Sequence, residues 1–194
     1  MSDITKRALE QSLKNLLAKK PLNKITISDI TEDCGINRMT FYYHFENIYD
    51  LAEWACVENA KRAIEGKKTY DTWQKGLLNI FHAVLENKTL ILNVYHCVDL
   101  EQLERYLNPL VRALILSIVE EKAVGLCVSE DDKTFIASFY EYALVGIMLN
   151  WIHDGLRENP EILTDRIATL LHGNIEKALS DFSMNKSTSN PPVC

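Results

Sequence analysis

The chain has 194 residues, 47% of them hydrophobic and 25% charged, with a formal net charge of -6. That length and apolar content suffice for a large buried core and exclude a mostly disordered chain. The negative balance excludes a protein that coats nucleic acid or anionic lipid over its whole surface, so any nucleic-acid site is confined to a patch. Neither the first residues nor any later segment offers the ~20 apolar residues of a membrane span, and the expectation is a cytoplasmic chain with no membrane partner. Cys34, Cys56, Cys97, Cys127 and Cys194 are odd in number, widely spaced and without a Cys-x-x-Cys pair, so they read as buried free thiols.

Helical periodicity runs through most of the chain. Between residues 3 and 20, Ile4, Ala8, Leu9, Leu13, Leu16 and Leu17 fall on one helix face, and Lys6, Lys14, Lys19 and Lys20 lie elsewhere. Pro21 stops this helix. Thr26 is placed to cap a short second helix, Gly35 to allow a tight turn after it, and Asn37 to cap a third. Asn47 caps a fourth helix that reaches Glu65, before a break at Gly66, Lys67 and Lys68. Further helices are expected over residues 69–86, 88–96, 100–124, 130–156 and 160–181. There is no alternating strand pattern and no internal repeat. The expected fold is therefore all-α with about nine helices: a three-helix helix-turn-helix domain over 1–46, a larger helical dimerisation and effector domain over 47–184, and a flexible polar tail over 185–194.

The stretch CGINRMTFYYHF, residues 34–45, crowds aromatic rings next to a glycine turn. Helix geometry sorts them. Phe41 and Phe45, four residues apart, face the core formed by Leu13, Leu17 and Ile30, which leaves Arg38, Thr40, Tyr42, Tyr43 and His44 outside. A DNA duplex gives such exposed groups a cover: Tyr and His hydrogen-bond phosphate, a threonine methyl meets a thymine methyl, and arginine grips guanine through two donors. The alternative is that Tyr42 and Tyr43 brace the fourth helix.

Residues 25–51, ITISDITEDCGINRMTFYYHFENIYDL, resemble the DNA-binding signature of the TetR family of bacterial regulators at Thr26, Ile30, Gly35, Thr40, Phe41, Tyr42, Phe45, Asn47 and Leu51. The resemblance implies that Thr26 and Tyr42 touch phosphates and that Ser28 belongs to the DNA-binding set. It also implies that Arg38, Met39, Thr40, Tyr43 and His44 sit in or beside the major groove of a palindromic operator. The partners it implies are double-stranded operator DNA, a second copy of the chain in a homodimer, and a small-molecule effector. One position departs from the pattern: Ile48 stands where the family often has a lysine, and Lys6, Arg7, Lys24 or the positive end of the fourth helix would have to replace that phosphate contact. Residues 1–50 hold seven basic and seven acidic side chains, so the acidic excess lies in the remainder. The C-terminal stretch ALVGIMLNWIHDGLRENPEILTDRIATLL resembles the subgroup that includes activators of dihydroxyacetone kinase operons, which implies a protein coactivator beside or instead of a small molecule.

In the C-terminal part, Trp73, Phe81, Tyr95, His96, Phe139, Tyr140, Tyr142, Met148 and Trp151 either line an effector cavity or are plain core residues. Residues 134–154 are apolar nearly all round, and Ala137, Ala143 and Gly146 are small enough to admit another helix. With Ile167, Leu170, Leu171 and Ile175 of the following helix they form the expected dimer interface, a four-helix bundle about a twofold axis; the alternative is burial within one chain. Asn79/His82, Asn93/His96 and Asn150/His153 share an i, i+3 spacing, but Asn is a poor substitute for a metal-bridging carboxylate and no metal is expected. The chain has no nucleophile elbow, no phosphate-cradling glycine loop and no H-E-x-x-H pair, so neither an enzyme nor a cofactor is expected.

Overall fold

In a computed structural model of the chain, the described residues are 2–66, 69, 71–97 and 100–187. They form ten α-helices and one short 3-10 turn, with no strand among them. The helices are α1 (Ser2–Leu17), α2 (Ile27–Cys34), α3 (Arg38–His44), α4 (Ile48–Ala63), α5 (Trp73–Glu86), α6 (Lys88–Cys97), α7 (Leu100–Lys122), α8 (Glu130–His153), α9 (Pro160–Leu171) and α10 (Asn174–Ser187). Two compact units result, one of residues 1–62 and 83–103, the other of residues 63–82 and 104–194.

The first unit is built on the apolar face of α1. Leu9 and Leu13 are wholly buried with Ile30 of α2, Phe41 of α3 and Leu51 of α4. Each such side chain contributes about 1.5–3 kcal/mol of burial. The expected caps set the helix starts: the Asn37 side chain accepts from Thr40 N at 2.8 Å, and that of Asn47 from Asp50 N at 3.0 Å. Gly35 takes the left-handed conformation, φ +69°, that closes α2 and turns the chain into α3. The unit does not end at residue 46. It includes α4 to Arg62 and also α6, whose Leu90 and Val94 enter the same core. Asn93 of α6 accepts a 3.0 Å hydrogen bond from the backbone N–H of Leu22, in the 3-10 turn.

In the second unit α8 buries a stripe of Ile136, Leu144, Val145, Met148, Trp151 and Ile152, with Phe81 of α5 edge-on to Trp151 at 4.9 Å between ring centres. By length and composition α8 is apolar enough to cross a membrane, contrary to the expectation that no segment is, but half of its apolar window is buried within the unit. It ends in two left-handed residues, Gly155 and Leu156, whose N–H groups return to the carbonyls of Ile152 and Trp151. Leu156 is buried there, which offsets the roughly 1–2 kcal/mol that a non-glycine residue loses in this conformation.

Several boundaries differ from expectation. The single helix over 160–181 is two, because the chain breaks at His172 and Gly173, the latter at φ +77°. Helix α10 runs to Ser187 through the start of the expected tail, and residues 188–194 lie outside the described residues, as do Lys67 and Lys68. The thiols also differ: Cys34 and Cys56 are half-buried, but Cys97 and Cys127 are exposed, and Cys194 is not among the described residues.

Candidate nucleic-acid interface

Helix α3 is short enough for its two faces to be read residue by residue. Phe41 and, just past its end, Phe45 are buried, whereas Met39 is 77%, Tyr42 53% and Tyr43 83% exposed. Arg38 is exposed as well, and Thr40 and His44 are half-buried. The outward row therefore holds a cation, a methionine and two phenols. Tyr43 stacks edge-on against His44 at 4.9 Å, and the Thr40 hydroxyl donates to Asn37 Oδ1 at 2.9 Å, which leaves the Thr40 methyl as its free end.

Helix α2 is held at its start by reciprocal hydrogen bonds. Asp29 N–H donates to Thr26 Oγ1 at 3.2 Å, and Thr26 N–H donates back to the Asp29 carboxylate at 2.7 Å. The Thr26 hydroxyl also donates to that carboxylate, at 2.7 Å, so a phosphate contact from this hydroxyl requires the capping arrangement to open. Lys20 Nζ lies 2.7 Å from the same carboxylate. The Lys20 and Thr26 hydrogen bonds hold the Asp29 carboxyl down at about 2. One further link crosses the turn: the guanidinium of Arg38, the first residue of α3, donates through Nη2 to Ser28 Oγ on α2.

Ile48, at the place of the missing lysine, packs against the core of this unit. The Lys6 ammonium of α1 lies 5.5 Å from the ring centre of Phe45 and 5.4 Å from that of Trp54, so its charge is held against one ring just past the end of α3 and another within α4.

The expected cavity residues divide between the two units. Tyr95 and His96 belong to the first unit, whereas the other seven belong to the second. Within the second, Phe139 and Tyr142 are 64% and 63% exposed, and Trp73, Phe81, Met148 and Trp151 are core. Phe139 and Tyr140 line one open groove and Tyr142 and Trp151 another. The expected dimer set divides as well: Ala143, Gly146 and Leu170 are exposed, but Ala137, Ile167, Leu171 and Ile175 are buried within their own chain. These four are buried within the second unit, where α10 packs on both α8 and α9, a role the periodicity alone does not separate from a subunit contact. The three asparagines spaced with histidines serve the fold: Asn79 Nδ2 donates to the Ala63 carbonyl, Asn93 accepts from Leu22, and Asn150 Nδ2 donates to Asp154.

Sequence reading missed Asp29, although Thr-x-x-Asp ahead of an apolar residue is a cap signature visible in the chain. Asn93 stood out only for its spacing from His96; its role as acceptor for Leu22 has no local signal, since that partner lies 71 residues away.

Residues 12–54 match bacterial regulatory proteins of the tetR family, and residues 71–173 match a transcriptional regulator C-terminal region. The chain belongs to the TetR family of bacterial transcriptional regulators, whose members bind operator DNA and act as dimers. Among its relatives is DhaS of Lactococcus lactis subsp. lactis (strain IL1403), an HTH-type transcriptional activator of the dhaKLM operon, 25% identical over 177 residues that span 90% of this chain and 92% of that one. The solved structure of a dihydroxyacetone kinase operon activator DhaS gives a TM-score of 0.70 at 23% identity, covering 93% of this chain and 98% of that one. NalD, the secondary repressor of the MexAB-OprM multidrug efflux pump in Pseudomonas aeruginosa, shares the fold at a TM-score of 0.56 and 12% identity, over 92% of this chain and 98% of that one. These relatives regulate transcription and are not enzymes.

Proposed function

We propose that this chain binds a palindromic operator in double-stranded DNA as a homodimer in the cytoplasm, each protomer laying α3 in the major groove. The observation that carries the reading is the outward row of Arg38, Met39, Tyr42 and Tyr43 on a helix whose opposite face is anchored by Phe41. Arg38, Met39, Thr40, Tyr43 and His44 read bases; Tyr42 and, once its cap opens, Thr26 hold the backbone. The twofold places the two copies of α3 one turn of duplex apart, ~34–36 Å.

Selection of bound duplexes from a random library tests this. Arg38→Ala should relax base preference at one position per half-site at a cost of roughly 1–3 kcal/mol, and Tyr42→Phe should weaken all sequences alike. Loss of neither preference nor affinity in the two variants would remove α3 from the groove.

The dimer contact in this proposal is the outer face of α8. Phe135, Phe139 and Tyr142 are each more than 60% exposed, and Ala143 and Gly146 continue that face, flanked on α9 by Ile162 and Leu170. Ala143 and Ile147 border both open grooves, so α8 carries a ridge between two furrows, a shape that a second copy can complement. The second unit also carries the response to a small-molecule effector or a protein coactivator, either of which changes operator affinity only by its differential affinity for the two states of the dimer. Titration of the dimer–operator complex with a candidate effector, read as a shift in operator affinity, tests that part.

A further inference from the structure

We infer that Ser28 is a positioning residue for Arg38, fixing the direction in which the guanidinium meets the base it reads; this rests on the proposal that Arg38 reads a base. Arg38 is the first residue of α3, and its Nη2 donates to Ser28 Oγ in the first turn of α2. Both ends of this link stand on fixed backbone. The start of α2 is set by the reciprocal Thr26 and Asp29 hydrogen bonds, and the start of α3 by Asn37. Ile30 and Phe41 bury the two helices in one core.

An unrestrained arginine carries several rotatable bonds that must be ordered when it meets DNA. Ser28 orders it beforehand. A serine oxygen engages only one of the five N–H donors of the guanidinium, which leaves a free edge with two parallel donors for the O6 and N7 atoms of guanine. The partner is also neutral, so the positive charge stays available to the duplex, which a carboxylate at residue 28 would cancel. Ser28 thus acts on specificity through another side chain, whereas a phosphate contact from the same hydroxyl would act on affinity for every sequence.

The test is selection from a random duplex library with the full-length chain and with Ser28→Ala, Ser28→Thr, Arg38→Ala and the double variant Ser28→Ala/Arg38→Ala. Positioning predicts that Ser28→Ala lowers the preference at the base position that Arg38→Ala abolishes, by about two- to tenfold as for one hydrogen bond. It also predicts that Ser28→Thr restores the preference and that the double variant matches Arg38→Ala alone. Uniform weakening over all sequences with an unchanged preference profile would make Ser28 a phosphate contact and overturn the inference. So would a Ser28→Ala profile identical to that of the intact chain, or additive losses in the double variant. If Arg38→Ala itself leaves every preference intact, the reading of Arg38 fails, and that result is distinct from a failure of Ser28 alone. Circular dichroism of each variant separates these outcomes from unfolding.

Discussion

Glu10 of α1 and Arg62 of α4 are joined at two points, with the guanidinium Nη2 3.1 Å from each oxygen of the carboxylate. Lys14 Nζ at 2.7 Å and Asn59 Nδ2 at 3.1 Å complete the set around a carboxylate that is only 3% exposed. Arg62 is the last residue before the chain leaves the first unit, so this cluster fixes the final turn of α4 to α1. Burial by itself raises the Glu10 carboxyl, but the donors of Lys14, Arg62 and Asn59 together outweigh it and hold the group below its ordinary value. Glu10→Ala should destabilise the chain by about 1.5–3 kcal/mol, the worth of hydrogen bonds to a charged group. Urea unfolding of the two proteins at neutral pH measures this, and equal midpoints would deny the cluster a role in stability.

The Asp29 cap carries a pH signature. Its carboxyl is held near 2 in the folded chain against 3.8 ordinarily, so the unfolded chain takes up this proton first as the solution is acidified. The contribution of Asp29 is therefore complete above about pH 4 and is lost as the pH falls toward about 2. The stability difference between the intact chain and Asp29→Asn should be constant from neutral pH down to about 4 and should shrink below it. Urea midpoints across that range give the result; a difference that does not change with pH would mean that the carboxylate charge is not what holds α2.

Ile48→Lys restores the cation that the family often places there, at the cost of a side chain packed on the core of the first unit. Against a fixed duplex, the slope of log affinity on log salt should steepen by about 0.9 per protomer. Thermal stability should fall, by about 1 kcal/mol. An unchanged salt slope would place the start of α4 away from the phosphates.

Gly146 and Leu171 distinguish a contact between chains from one within a chain. A side chain added at Gly146 meets no heavy atom within 4 Å, and an interior helical glycine is about 1 kcal/mol less favourable than alanine. Gly146→Glu should therefore leave the protomer folded but sediment as a monomer that no longer binds operator. Leu171 is 5% exposed, so Leu171→Glu should unfold the second unit instead. A stable Gly146→Glu dimer in sedimentation would place the interface elsewhere.

What the sequence made legible follows the range of the forces involved. Caps at Thr26, Asn37 and Asn47, the turn at Gly35 and the inward pair Phe41 and Phe45 are local, and each stands where its spacing puts it. The inward or outward direction of residues on α8 is not local, because apolar groups cover both of its faces and only packing against other helices of the second unit, α10 among them, decides which is free. For the same reason Ala143 and Leu171 looked alike in the sequence and differ in the fold. The link from Ser28 to Arg38 needed the angle between two helices, which no spacing encodes.

The return of α6 to the core of Leu9, Leu13 and Leu22 bears on how such chains can be recombined. A segment cut after Arg62 would carry every candidate DNA-reading side chain yet lack Leu90, Val94 and the acceptor from Asn93 that the backbone of Leu22 requires. Grafting residues 1–62 onto a foreign body would succeed only where that body supplies an equivalent helix. A block extending through Leu103 would carry the whole core of this unit, whereas a crossover just after α4 would divide it.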